Sequence, residues 1–351
     1  MTHLAILCVR NEAAFLLEWL AHHRAVGFDN FLIFSNDCQD GTDAMLDRLE
    51  ELGHVTHIRN DGPYDKGGIQ FTALKQAAKH KLVKQANWIL PLDVDEFVNI
   101  HCGDHTLDAL HAAIPDATAI TLTWRLFGAG GHVRYTDTPV LDTFTQAAPA
   151  VMYWPWRASM FKTLYRNDGT YKKPGVHRPR DTNEKKLANA RWFDGNGTAL
   201  PEQFTTKRIF SNYGQDNYGL VQLNHYPLGA MKSYLLKVDR GRGVQSDDLL
   251  GVDYWVERNF NTDKDLSIQS LAPPRSAELE ALKADETLAK LHRDAVQWRA
   301  NRFDQLMQKE PFRALFGRLM MTPPSQPVPR NAAQFMINYA NLARRAAKGK
   351  A

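Results

Sequence analysis

The first 130 residues alternate between short apolar runs and amphipathic stretches, and this alternation restricts the fold more than any other feature. "LAILCV" (4–9) is a continuous apolar run of strand length, and "NEAAFLLEWLAHHRAVG" (11–27) behind it reads as a helix stopped at Gly27. "FLIF" (31–34) follows, then "DGTDAMLDRLEELG" (40–53) with Met45, Leu49 and Leu52 on one helical face, then the strand "VTHI" (55–58). A helix over Phe71 to Gln85 leads into "WILPLDVDEF" (88–97), and "AITLTW" (119–124) reads as a further strand. Strands separated by helices are joined by right-handed crossovers, which predicts an α/β fold: a mostly parallel sheet flanked by helices. In such sheets ligands bind beyond the carboxyl ends of the strands.

From about Phe127 to Val221 the alternation gives way to loops and aromatics, and no element is assigned there. Beyond Pro273 and Pro274 the stripe Leu279, Leu282, Leu288, Leu291, Ala295, Trp298 and Leu306 predicts a long helix packed on the main body. "MMTPPSQPVP" reads as an extended linker before a basic amphipathic end. The expected organisation is a catalytic-type domain over 1–245, divided into halves 1–126 and 127–245, a helical extension over 246–320, and a linker and basic tail over 321–351.

An apolar content of 44% suits a globule with a large core, and a net charge of +4 lacks the basic stripe of a nucleic-acid binder. No apolar stretch approaches the roughly 20 residues of a membrane span, and the start carries no leader pattern, so a cytoplasmic location is expected. The basic end "NLARRAAKGKA" allows peripheral contact with an anionic membrane. Cys8, Cys38 and Cys102 have neither disulfide-framework nor zinc-site spacing and read as free thiols.

The apolar strand "WILPL" delivers the chain into Asp93, Asp95 and Glu96. On an extended chain, residues two apart point the same way, so Asp93 and Asp95 would share the ligand-binding edge. Two such charges about 4 Å apart repel by roughly 1 kcal/mol in water, and by several times that when partly desolvated. A divalent cation, Mg²⁺ or Mn²⁺, removes the conflict, because these ions favour oxygen ligands and bridge carboxylates to substrate phosphates. Glu96 alternates to the opposite face and is expected to support the pair or cap a helix. A second cluster, "NHYPLGAMKSYLLKVDRGRG", puts Met231, Tyr234, Leu235 and Val238 on one helical stripe, while Ser233, Lys237 and Arg240 share another face. Lys237 and Arg240 can therefore approach one anion together.

"ILCVRNEAAFLLEWLAHHRAVGFDNFLIFSNDCQDGTDAMLDRL" followed by "WILPLDVDEF" resembles the glycosyltransferase family 2 type, in a variant related to family 92, and the resemblance reappears at "LNHYPLGAMKSYLLKVDRGRG". It implies a GT-A (Rossmann-like) fold with the C-terminal helical extension outside it, a nucleotide-sugar donor of the UDP-sugar class, a glycan or glycolipid acceptor, and Mn²⁺ or Mg²⁺ at the D-x-D. Carried over, Val9, Arg10, Asn11 and Glu12 would lie against the nucleoside. Asp37 becomes the donor-site acid, because Asn36 stands where many members have a first acid. Asp93 would hold the ribose or a metal-bound water, Asp95 the metal, and His225 would complete the metal site. Lys66 or Gln70 of "DKGGIQ" would reach the nucleotide. "DGT" equally suits a helix start, and Asp40 and Thr42 are read as caps.

A family of this kind is commonly inverting, and inversion needs a base for the acceptor hydroxyl. Asp181, Asp194 and His177 are the candidates, unranked. Trp124, Trp154 and Trp156 offer aromatic faces suited to sugar rings or, equally, to core packing. Two rival readings remain at this point. "LDVDEF" also resembles the opening of haloacid-dehalogenase-type phosphatases, although Phe97 and three preceding strands fit that poorly. A non-catalytic sugar- or partner-binding scaffold of the same fold is the other. A dinucleotide site at "GAGGHV" fails because Val133 stands where the third glycine belongs.

Overall fold

The computed structural model describes residues 1–64, 67–241 and 250–348. Nine strands form the central sheet: β1 (His3–Val9), β2 (Asn30–Ser35), β3 (Thr56–Arg59), β4 (Trp88–Leu92), β5 (Glu96–Ile100), β6 (Ala119–Leu126), β7 (Phe161–Arg166), β8 (Trp192–Phe193) and β9 (Val221–His225). Their order is β3-β2-β1-β4-β7-β6-β9-β5, with β8 paired to β6. The first four strands in that order run parallel, as the alternation predicts. Antiparallel pairing enters only with β7 and β5, both of which follow stretches where helical crossovers stop.

The path from β4 to β5 forces the sheet to curl. Four inter-strand steps of about 4.8 Å would separate them by roughly 19 Å in a flat sheet. The four Cα steps from Leu92 to Glu96 reach only about 14 Å at full extension. They are in fact a tight turn, with the Glu96 N–H donating to the Asp93 carbonyl at 3.1 Å. The acids therefore sit in a turn where the curled sheet closes, rather than along an extended edge.

Helix α1 (Ala13–Val26) ends as expected at Gly27, whose φ of 110° is the left-handed value that ends helices cheaply in glycine. Helix α2 (Thr42–Glu51) buries Met45, Leu46 and Leu49. The expected single helix before β4 is two: α3 (Ile69–Ala77) and α4 (Lys81–Gln85). His80 divides them, its ring nitrogen accepting the Leu82 N–H. Helix α5 (Leu107–Ala113) precedes β6, and α6 (Met231–Arg240) follows β9 with Tyr234 and Leu235 fully buried.

The region that resisted assignment supplies β7, the β8 edge and several short turns. After it, α7 (Ala272–Lys283) packs along α1, and α8 (Glu286–Met307) packs against α1, α2 and α6. The expected continuous helix breaks at Asp285, which accepts the Leu288 N–H at 2.9 Å and starts α8. Helix α9 (Glu310–Met321) packs on α6, and α10 (Arg330–Lys348), which follows the linker, is the last element among the described residues.

Candidate active site

Three chain segments converge at the carboxyl end of the sheet. Val9 to Glu12 leave β1, Asp93 to Glu96 leave β4, and His225 to Arg240 leave β9 into α6. Asp40 fixes the first of these. One carboxylate oxygen accepts the Ala13 N–H that opens α1, at 3.0 Å, and the other accepts the N–H and hydroxyl of Thr42 that open α2, at 3.0 and 2.6 Å. Thr42 in turn accepts the Glu12 N–H at 2.9 Å. The two residues are caps, as expected, but they cap both helices and so lock them to the end of β1.

The acidic turn is not left to repel itself. Lys162, in the middle of β7 and 0% exposed, donates to Asp93 Oδ2 at 2.9 Å and lies 3.5 Å from Glu96 Oε2. Gln70 occupies Asp93 Oδ1 at 2.9 Å. Glu96 is wholly buried: Oε2 accepts the Asp93 N–H at 2.9 Å and Oε1 accepts Trp124 Nε1–H at 2.7 Å. Its expected supporting place is what the geometry gives, at the start of β5 and not as a helix cap. Burial drives the Glu96 carboxyl upward while Lys162 pulls it back. Burial would lower the Lys162 ammonium, but Asp93 and Glu96 outweigh it and raise it.

Asp95 has a different environment. Its Oδ2 takes Lys237 Nζ at 2.7 Å, and its Oδ1 faces His225 Nε2 at 3.8 Å. Burial would raise this carboxyl, but Lys237 and His225 hold it at about 2, so it is ionised throughout the physiological range. Burial holds the His225 imidazole neutral, at about 3, against the pull of Asp95. Its ring stacks obliquely on Trp124 at 4.3 Å, and its Nδ1 is buried without a hydrogen-bond partner.

A cleft of about 330 Å³ opens above these groups. Arg10, Arg157, Lys237, Arg240 and Arg258 line it together with the two aspartates. Arg240 pairs with Glu12 and donates to the Arg10 carbonyl at 3.0 Å, and Arg10 returns a bond to the Arg240 carbonyl at 3.3 Å. The end of α6 is thereby tied to the end of β1, and Lys237 and Arg240 do face one cavity as their helical spacing predicts. Arg258 lies 3.6 Å over the Tyr254 ring, which braces it at the cleft wall.

The residues read from the sequence divide into those gathered here and those held elsewhere. Val9, Arg10, Glu12, Gln70, Asp93, Asp95, His177, His225, Lys237 and Arg240 all line the cleft. Asn11 lines a neighbouring apolar cavity and accepts the Gln39 N–H at 2.6 Å. Asn36 lines the cleft where Asp37 was expected. Asp37 is turned outward by a left-handed φ of 47° and accepts the Tyr64 hydroxyl at 3.1 Å. Lys66 lies outside the described residues.

Of the three candidate bases, two are displaced. Asp181 lies outside the cleft, on the wall of the groove that adjoins it at His177, and is a half-exposed hairpin residue paired with Lys173 at 2.5 Å. Asp194 spends one oxygen on the N–H groups of Asn196 and Thr198, at 3.0 and 2.9 Å, and serves a turn. His177 remains: Nδ1 meets the Phe161 carbonyl at 3.1 Å, and burial, aided by Lys162, holds the ring neutral with a pKa of about 4. Lys162 and Arg258 were missed, because neither has a motif around it. The one sequence signal for Lys162 was the need of three clustered acids for a buried cation.

Metal fit can be judged from the donors present. Among the described residues no three His, Cys, Asp or Glu side chains converge on a common point. Asp93 does not fit as a direct ligand, since Lys162 already sits as the cation on its Oδ2 and Gln70 on its Oδ1, leaving one further lone pair on each for a hydroxyl or water. Asp95 Oδ1 and a neutral His225 Nε2 do fit as an oxygen–nitrogen pair, with the remaining positions left to substrate phosphate and water.

A model of glycosyltransferase family 92 matches residues 5–193, more than half of the chain. The chain belongs to glycosyltransferase family 92. The family 92 match takes in the β1 end, the D-x-D turn, Lys162 and His177, and stops before the His225–Arg240 segment. A family 92 protein of Oryza sativa subsp. japonica is 25% identical over 143 residues, 39% of this chain and 23% of its own. One from Ricinus communis is 31% identical over 139 residues, 37% of this chain and 23% of its own. The chain thus spans under a quarter of the length of these curated relatives. Among solved structures, S. aureus TarS 1–349 in complex with UDP-GlcNAc covers 87% of this chain and 83% of its own at 14% identity and a TM-score of 0.34. Mannosyl-3-phosphoglycerate synthase from Rubrobacter xylanophilus covers 48% and 53% at 16% identity and a TM-score of 0.29. Family 92 membership displaces the phosphatase alternative, and the α/β class with helices on a curled sheet agrees with the GT-A expectation.

Proposed function

We propose that this chain is a metal-dependent glycosyltransferase that moves a sugar from a nucleotide-sugar donor to a hydroxyl of a glycan or glycolipid, with inversion. The observation that carries the reading is the cleft itself, which five lysine and arginine side chains line together with Asp93 and Asp95. A dianionic diphosphate suits the cations, and the UDP-sugar class is what the family resemblance implies. Mn²⁺ or Mg²⁺ would be held by Asp95 and His225, and when bound it neutralises charge on the diphosphate.

Lys237 and Arg240 act on the leaving group. As the bond from the anomeric carbon to the diphosphate oxygen breaks, its electron pair stays on that oxygen, and preorganised cations there lower the barrier. Lys237 starts on Asp95, which keeps its ammonium aimed and desolvated in the same cleft. Asp93, held by Gln70 and Lys162, is rigid enough to bind the donor ribose or order a water.

The acceptor is assigned to a groove of about 680 Å³ that shares Val176 and His177 with the cleft. His177 thus stands at the junction. Its Nδ1–H is committed to the Phe161 carbonyl, leaving the Nε2 lone pair to take the hydroxyl proton as the acceptor oxygen bonds to the anomeric carbon. The test is hydrolysis and transfer with a panel of nucleotide sugars, with and without Mn²⁺. Metal-dependent turnover of one donor supports the reading. Nucleotide binding without turnover for any donor or acceptor supports the non-catalytic scaffold instead.

A further inference from the structure

Helix α10 presents an unusual surface. Phe335, Tyr339 and Leu342 are 63%, 61% and 58% exposed, and Met336 is 41% exposed. At about 100° per residue the first three fall within roughly 60° of one another, with Met336 about 60° beyond the edge of that arc. Ala333, fully buried, and Ile337 and Ala340, half-buried, form the opposite arc, turned toward the body of the protein. Arg330, Gln334, Asn338, Asn341 and Arg345 make the third arc. The apolar stripe is therefore turned outward while the helix is held by another face.

Residues 330–351 contain Arg330, Arg344, Arg345, Lys348 and Lys350 and no acidic residue. Large exposed aromatic and aliphatic groups, flanked by cations with no compensating acid, complement an anionic lipid surface: the rings enter the headgroup boundary and the cations meet the phosphates. Among the described residues no helix is long and apolar enough to cross a membrane, so this one would lie on the surface.

We infer that α10 is an interfacial anchor that docks the protein on anionic bilayers, with Phe335, Met336, Tyr339 and Leu342 inserted and Arg345, about 60° beyond the edge of the stripe, at the headgroups. A second copy of the chain is a poorer occupant, because pairing two such helices would bring like charges together.

The experiment is co-sedimentation of the full chain with large unilamellar vesicles, either phosphatidylglycerol and phosphatidylcholine in equal parts or phosphatidylcholine alone. Binding to the anionic vesicles at least tenfold stronger, and weakened by 0.5 M NaCl, is expected. Phe335→Ser with Tyr339→Ser should lower it at least tenfold, and Arg345→Gln about two- to threefold, with thermal unfolding of both variants unchanged. These substitutions are of exposed groups, and donor turnover measured without vesicles should stay at the wild-type level. Equal binding to both vesicle types, no binding to either, or a concentration-dependent dimer abolished by the Phe335/Tyr339 variant would overturn the inference.

Discussion

Lys162→Met tests whether the acidic turn is held by an internal cation. Methionine keeps the length and apolar stem of the side chain and removes its charge. Asp93 is still part-exposed and keeps Gln70, whereas Glu96 is fully buried and loses the cation 3.5 Å from its Oε2. Burial already lifts the wild-type Glu96 carboxyl to about 8 against the pull of Lys162, so it holds its proton at pH 7 with or without the lysine. The sign follows from linkage: above its folded pKa the wild-type carboxyl ionises beside Lys162, whereas in the variant it must stay protonated, so the variant loses additional stability as pH rises past about 8. At pH 7 the loss is that of the Lys162 hydrogen bond to Asp93, about 1–2 kcal/mol. At about pH 9, one unit higher than the wild-type value, the protonated Glu96 adds about 1.4 kcal/mol. Urea unfolding followed by tryptophan fluorescence at both pH values reads the difference. Adding Glu96→Gln, which keeps an acceptor for Trp124, should remove the added loss at the higher pH. Equal losses at both pH values, or no removal of the difference by Glu96→Gln, would refute the reasoning.

Other outcomes follow from the same contacts. Trp124→Phe removes the 2.7 Å bond to Glu96 Oε1, so urea unfolding should show a loss of about 1–3 kcal/mol for the unpaired buried oxygen. His177→Gln should lower kcat by about 100-fold with little change in donor KM, and Asp181→Asn should leave both within about twofold, in steady-state transfer assays. In the wild type, kcat/KM should fall on an acid limb near pH 4, where His177 with its pKa of about 4 becomes protonated. His22 and His225 are held near 3 by burial. Their unfolded forms bind protons from about pH 6.5 downward, so each should cost about 1.4 kcal/mol per pH unit as pH falls from there toward 3, read by urea midpoints.

The half of the fold that could be read from sequence is the half built from local signals. Each of β1, β2, β3 and β4 is an apolar run next to a capped or glycine-stopped helix, and both periodicities are visible in a single window. Strand β7 carries Lys162 and Thr163 facing the interior, which breaks the apolar pattern that marks a buried strand. Strand β5 follows the acids directly with no turn signal, because the acids themselves make the turn. The site was legible where residues act as a cluster in sequence, as in Asp93–Glu96 and Lys237–Arg240. It was opaque where a partner comes from a distant strand: Lys162 is 69 residues from Asp93. From the sequence the acid pair reads as a place for a cation. Lys162 compensates Asp93, and the remaining demand for positive charge is concentrated at Asp95, where Lys237 and the orphaned His225 ring meet.

Asp95 therefore carries the central claim, and donor hydrolysis with Mn²⁺ by the wild type and Asp95→Ala measures it. The account predicts metal-dependent turnover of a nucleotide sugar in the wild type, and a loss of at least about 100-fold in the folded variant together with its Mn²⁺ dependence. Full activity in Asp95→Ala, or turnover in the wild type that is indifferent to Mn²⁺ and Mg²⁺, would contradict it.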